Sequence, residues 1–407
     1  MAIFATLIFI ISPLEAQIAP PRKPSLANGT AVPQMTECVK VAAWTVPGSG
    51  IRPFPEVIAA AAAQSVVLLG ETHISREHHR WQLQMLAALY AVRPDMVIGF
   101  EMFPRRVQAV LDRWVAGELS ETEFLSQSEW HRVWNSDASL YLPLFHFARM
   151  NRIPMRALNI DTRLRKLVSE KGFNAVPEDE REGVTRPAPP SAAYLDFLLP
   201  IYAQHERPGK NNRQITRADQ DFLRFVVNQQ LWDRAMAQAI HAALGAGTSN
   251  TSPLVVGIMG TGHILRGFGV PHQLNDLGVI RIASLLPWDT SKSCNQLVPG
   301  YADAVFGIDP FVAESAVPSR QRLGIRFEFS VAANGALVLQ VESNSIAEAT
   351  GLLGGDVITE IAGIMIKQSS DLTDAVKRQA PGTWLPLKVK REGAMIELVA
   401  KFPPLEK

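Results

Sequence analysis

Short, unbroken apolar runs constrain this chain more than any other feature. Three of them are Ser65-Val66-Val67-Leu68-Leu69-Gly70, Met96-Val97-Ile98-Gly99-Phe100 and Leu254-Val255-Val256-Gly257-Ile258-Met259. A strand covered on one face alternates apolar with polar residues; one buried on both faces does not, so these runs predict strands of a parallel sheet. Between the first two, residues 77–90 space Trp81, Met85, Leu86 and Leu89 along one helical face, and Arg93-Pro94 ends that helix. A crossover of this length suits parallel strands. The rhythm continues with helices predicted over 104–115, 121–126, 142–150, 162–171 and 220–243, and strands over 153–158 and 279–285. Residues 173–191 hold Pro177, Pro187, Pro189 and Pro190 and read as an exposed excursion. The predicted fold class is α/β, an open and mostly parallel sheet flanked by helices.

A length of 407 residues points to more than one domain. From Pro287 to Ser319 the periodicity fades and prolines gather. After Arg322 short β-like segments dominate, at 324–329, 336–341, 356–361 and 385–391, with one helix at 370–379. The expected organisation is a leader and linker over 1–37, the α/β domain over 38–295, a linker over 296–318 and a small, mostly β domain over 319–407. Forty basic against thirty-nine acidic residues leave a net charge of +1, with no basic excess to neutralise phosphates, so nucleic acid is excluded as a partner. The arginines around Arg105-Arg106 and 163–166 read as solvated helix faces. The first eleven residues are apolar, too few to span a bilayer but suited to a signal peptide, although no basic residue precedes them. The expectation is export, to the periplasm, with no stable membrane span once the leader is removed; a buried or disordered N-terminus is the alternative. Met35-Thr36-Glu37 before Cys38 lacks the small residues of a lipid-attachment site. Cys38 and Cys294 are the only two cysteines. They either pair in an oxidising compartment or are two unrelated buried thiols.

Chemistry concentrates at the strand ends. Gly70-Glu71-Thr72-His73 follows the first buried run, Gly260-Thr261-Gly262-His263 follows the third, and Glu101 follows the second. Ligands of open α/β sheets gather at the carboxyl ends of strands, so Glu71, His73, Glu101 and His263 are predicted to share one rim. Histidines with carboxylates suit a divalent metal or acid–base work, and nothing in the sequence demands one over the other. His78 and His79 read as a solvated helix turn, with one of the pair facing the crevice as the alternative, and His131, His146, His205, His241 and His272 as structural or exposed. The aromatic cluster of Trp114, Trp130, Trp134, Tyr141, Phe145 and Phe147 reads as core, with Tyr141 its ionisable member.

Gly70-Glu71-Thr72-His73, Phe100-Glu101-Met102-Phe103, Tyr141-Leu142-Pro143, Ala157-Leu158-Asn159, Leu231-Trp232-Asp233-Arg234-Ala235-Met236-Ala237 and Gly260-Thr261-Gly262-His263 together resemble the ChaN-like haem-binding uptake proteins of the Tiki and erythromycin-esterase superfamily. The resemblance spans roughly residues 45–288. It implies haem or iron handling and uptake, often by a homodimer, with a tyrosine among the iron ligands; a phenolate is a hard donor that favours ferric iron. Carried onto this chain, the implied haem-site residues are Tyr141, His73 and His263. At Leu111-Asp112-Arg113-Trp114 this chain has Trp where many relatives carry Tyr. Wider superfamily members hydrolyse bonds with the paired motifs, some with a metal. The alternative is therefore an ester or peptide hydrolase with His73 or His263 as base and Glu71 or Glu101 as base or metal ligand.

The C-terminal segment resembles a bacterial PDZ domain. Arg322-Leu323-Gly324-Ile325 is similar to the carboxylate-binding loop, and Ala347 to Ile358, reading AEATGLLGGDVI, fits the same pattern. The resemblance implies that a partner protein's C-terminus or an extended peptide adds a strand beside Leu323, Gly324, Ile325, Arg326 and Phe327. A third reading leaves the α/β domain inert and places all function in that groove.

Overall fold

The computed structural model describes residues 38–134, 136–205, 215–245, 252–309 and 321–404. The leader-like segment 1–37 and residues 310–320 lie outside them. The chain divides into two units, residues 1–311 and 312–407.

In the first unit, β1 (Trp44–Val46), β2 (Gly50–Arg52), β3 (Val66–Glu71), β4 (Met96–Pro104), β5 (Met155–Asn159), β6 (Leu254–Gly260), β7 (Ile282–Asp289) and β8 (Ala304–Ile308) form one sheet in the order β2-β1-β8-β7-β3-β6-β4-β5. All pairs from β8 through β5 are parallel; only β1, against β2 and β8, is antiparallel. The predicted α/β class and the buried runs hold. Alternation of side chains across a strand explains why such runs need two covers. On β3, Val67 and Leu69 enter one core beneath the helices Phe54–Ala62, Arg76–Val92 and Leu142–Met150, while Val66 and Leu68 enter another beneath Gln220–Leu244.

Three elements differ from expectation. β8 lies within the stretch assigned to the linker and completes the parallel sheet, its residues all buried. The helix Ala192–His205 follows the proline-rich excursion, where no periodicity announced it. The excursion itself carries two short 3₁₀ turns, Phe173–Ala175 and Glu178–Glu180. Cys38 and Cys294 are joined by a disulfide, which settles the alternative left open by the sequence.

The second unit contains β9 (Ile325–Ser330), β10 (Gly335–Val341), β11 (Val357–Ile361), β12 (Ile364–Met365), β13 (Trp384–Arg391) and β14 (Ala394–Lys401). Its order is β14-β13-β11-β10-β9, with β12 on β11, and every pairing is antiparallel. β9 is therefore an edge. The helices Ile346–Thr350 and Ser369–Lys377 place Ala347, Leu372 and Val376 over the core formed with Val338, Ile358 and Leu387.

Candidate functional site

Glu71 and Glu101 leave the sheet on opposite faces. On β3, Glu71 shares the parity of Val67 and Leu69 and so turns toward the first core; on β4, Glu101 shares that of Val97 and turns toward the second. Because β6 lies between β3 and β4, the two faces meet above its end, Gly260.

Around Glu71 the fold brings three groups together. The Nδ1 of His73 lies 2.6 Å from Oε1, the Nδ1 of His79 lies 2.9 Å from Oε2, and the Tyr141 hydroxyl donates to Oε1 at 2.8 Å. His79 also bonds the His73 carbonyl through Nε2 at 3.1 Å. The solvated-turn reading of His78 and His79 fails, since their side chains are buried at 6% and 3% exposure. The cause is local. Ser75 caps the helix by accepting from the His78 N–H at 3.3 Å, and this starts the helix so that its first turn faces the strand ends. The Nδ1 of His78 accepts the Thr72 N–H at 2.8 Å.

Around Glu101 the partners come from farther away. Gly260 donates its N–H to Oε2 at 2.6 Å, and the Nε2 of His263 stands 3.4 Å from Oε1. The Nδ1 of His263 lies 2.6 Å from Asp233 Oδ1, on the helix Gln220–Leu244, and Tyr194 donates to the other Asp233 oxygen at 2.7 Å. The Trp232 ring packs edge-on against His263 at 5.0 Å, and Arg165 stacks over Trp232 at 4.7 Å. Arg165 is thus not the solvated residue its neighbours suggested.

Gly260 is the hinge between the two halves. A Cβ at that position would stand 3.3 Å from His73 Nε2 and 3.6 Å from Glu101 Oε2. The four residues predicted to share a rim do so: Glu71 meets His73, whose ring lies against Gly260, and Glu101 meets Gly260 and His263.

Electrostatics follow from burial against pairing. Burial opposes ionisation of Glu71, but His79 and His73 outweigh it and hold the carboxyl far below its ordinary range. Glu101 is lowered in the same way by His263, His73 and the Gly260 N–H. Burial likewise opposes protonation of His263, yet Glu101 and Asp233 raise it to about 10. His73 and His79 are raised by Glu71 against their own desolvation. His78, with an N–H pointed at its Nδ1, is instead pulled down to about 3, chiefly by burial. Burial and Glu71 push the Tyr141 hydroxyl well above its ordinary value.

These facts bear on what the cluster can hold. Among the described residues no group of three or more His, Cys, Asp and Glu side chains is disposed to take a metal ion, so the divalent-metal reading has no support. His73, His79 and His263 take carboxylates as their partners, and His78 takes the Thr72 N–H. Nor do Tyr141, His73 and His263 fit haem iron in this arrangement. Tyr141 is fully buried with its hydroxyl committed to Glu71, and His263 faces a carboxylate at each nitrogen. The His73 ring packs against Gly260, where a Cβ would stand 3.0 Å from Cε1 and 3.3 Å from Nε2. Asp233 and Tyr194 escaped the sequence reading as site residues. Asp233 lay in a quoted motif, but nothing in the sequence aligned its helix with the strand end.

In the second unit, Leu323 is buried and Gly324 has φ +79°, the left-handed region that favours glycine. Any Cβ there would stand 2.3 Å from Ser345 Cβ. The Leu323 carbonyl accepts from Ala347 and the Gly324 carbonyl from Glu342, fixing the loop at 2.7 and 2.9 Å. Ile325 and Phe327 turn partly into the core, and Arg326 is exposed.

No curated protein matches the chain. Among solved structures, ChaN of Campylobacter jejuni, described with cofacial haem binding, is 17% identical, with 65% of this chain and 95% of that one covered and a TM-score of 0.49. The PDZ domain of HtrA3 with a phage-derived ligand is 26% identical over 20% of this chain and 83% of that one, TM-score 0.18. The HtrA-type protease AlgW with a decapeptide is 24% identical over 22% of this chain and 30% of that one, TM-score 0.20. The sequence model of a PDZ domain matches residues 321–401, and that of the haem-binding uptake family, Tiki superfamily, ChaN, matches residues 57–274. This chain belongs to the ChaN family of haem-binding uptake proteins, in the Tiki superfamily, and carries a PDZ domain after it.

Proposed function

We propose that this is an exported protein that handles haem or iron, and that its PDZ domain binds a partner protein's C-terminus or an extended peptide. The observation that carries the haem reading is the family match over residues 57–274. With its hydroxyl committed to Glu71, Tyr141 is not assigned as the iron ligand in this reading. The peptide reading is supported by β9, an edge strand paired with β10 alone among the described residues, and by the Gly324 loop at its start. An incoming strand satisfies the open edge, and loop N–H groups hold its carboxylate.

A second reading, metal-free hydrolysis of an ester or peptide bond, draws support from the buried Asp233–His263 pair beside Glu101. A His263 raised to about 10 already carries its proton at neutral pH and so serves there as an acid; His73, held through Nδ1 by Glu71 and raised as well, takes the base role as pH rises.

Titration of the purified full chain with haemin, followed at the Soret band, separates the readings. A saturable Soret shift that survives in Tyr141→Phe is expected. Absence of any shift, with ester turnover that disappears in His73→Ala, would replace the haem reading by the hydrolytic one.

A further inference from the structure

The proline-rich excursion is more than a surface loop. With the end of the helix Thr162–Lys171 and one flank of Gln220–Leu244, it borders a cavity of about 510 Å³ that is open to solvent. Pockets for small molecules fall in the range of about 300–1,000 Å³ and are mostly apolar with a few placed polar groups. Here Val168, Phe173, Val227 and Leu231, with the prolines that follow Arg186, supply apolar wall. Two cations, Lys171 and Arg186, line the same cavity, and no acidic side chain does. Neither cation has an ion-pair partner among the described residues, although acidic residues on both flanks already serve other cations, Glu170 with Lys166 and Asp221 with Arg224. Val227 is 38% exposed, so apolar surface is left open at the cavity.

We propose that this cavity binds an apolar molecule carrying one or more carboxylates, its body against Val168, Phe173, Val227 and Leu231 and its carboxylate paired by Lys171 and Arg186. Charge complementarity decides the class. Two unpaired cations on an apolar wall attract an amphipathic anion, and a guanidinium holds a carboxylate through two parallel bonds. The lining contains no His, Tyr, Cys or Met, so binding does not depend on a metal in the ligand. A tetrapyrrole with its propionates and a fatty acid share this chemistry. The lining offers no donor suited to iron, so a tetrapyrrole there would be held by its propionates and its apolar face alone.

The test uses the full-length chain and three probes: iron-free protoporphyrin IX followed by its fluorescence, haemin by absorption, and laurate by calorimetry. Binding of protoporphyrin or laurate that weakens about tenfold or more in Lys171→Glu/Arg186→Glu is expected, the loss of one charge-assisted pair at ~1.4 kcal/mol. Lys171→Arg should retain it, and Val227→Asp should abolish it with the circular-dichroism spectrum intact. Protoporphyrin binding without laurate identifies a tetrapyrrole, and the reverse identifies a fatty acid. Binding of neither probe, or binding indifferent to all three variants, overturns the proposal. Haemin binding that persists in Lys171→Glu/Arg186→Glu would overturn the cavity as its seat and leave the haem reading standing. Laurate binding with no haemin binding would do the opposite.

Discussion

The Nδ1 of His263 lies 2.6 Å from Oδ1 of Asp233, a residue thirty positions earlier on a helix that packs across the sheet from β6. Tyr194 secures the second oxygen at 2.7 Å. The pair is fully buried, and a buried charge stripped of its partner costs roughly 3–5 kcal/mol. Asp233→Ala should therefore destabilise the α/β unit by about that amount. Tyr194→Phe should cost only about 1 kcal/mol, because Asp233 retains His263. Urea unfolding of both single variants and the double variant would show strong non-additivity. Additive effects would mean that Tyr194 does not act through Asp233.

Tyr141→Phe keeps the ring in its aromatic cluster and removes one donor from Glu71. Two imidazoles still hold that carboxylate. The expected loss is about 1–2 kcal/mol, against several for Glu71→Ala, which strands both histidines. Thermal melting of the two variants side by side would check the order.

Stability should peak near neutral pH. His263 is raised from 6.5 to about 10 on folding, so its contribution is complete below the unfolded value and is lost as pH climbs toward about 10. His73 and His79, also raised, act in the same direction. Glu71 and Glu101 are lowered, so their contribution is present above the ordinary carboxylate range near 4.5 and is lost as pH falls below it. His78, depressed from 6.5 to about 3, takes up a proton only in the unfolded chain across that window and adds to the acid-side loss. Unfolding free energies measured from about pH 4 to about pH 9 should trace a maximum near the middle. A curve still rising at the alkaline end would contradict the assignment of His263.

The Cys38–Cys294 disulfide closes 256 residues of chain and anchors the N-terminal edge of the described fold. Restricting so long a loop in the unfolded state is worth roughly 5–6 kcal/mol by chain-entropy arguments. Reductant should lower the melting temperature of the wild type to that of Cys294→Ser and leave the variant unchanged. Equal melting temperatures with and without reductant would mean that the bond contributes nothing.

Gly324→Ala introduces both a left-handed strain of about 1–3 kcal/mol and a clash with Ser345. The loop should open and peptide affinity should fall by about tenfold or more, while melting of the first unit stays unchanged. Titration with a labelled peptide ending in an apolar residue would measure it.

The sequence by itself determined the parallel sheet, the PDZ unit and the strand-end location of Glu71, His73, Glu101 and His263, because burial on both faces and glycine-stopped strands leave periodic, local traces. It did not reveal β8, whose residues are few and flanked by turn formers, or the inward turn of His79, which depends on where Ser75 starts the helix. Only the tertiary structure decided which residue answers which. Asp233 reaches His263 because a long helix crosses the sheet behind β6, and Tyr141 is spent on Glu71 because its helix packs on the opposite face. Such pairings are set by packing between elements distant in the chain, and a linear pattern carries no record of the angle at which two elements meet.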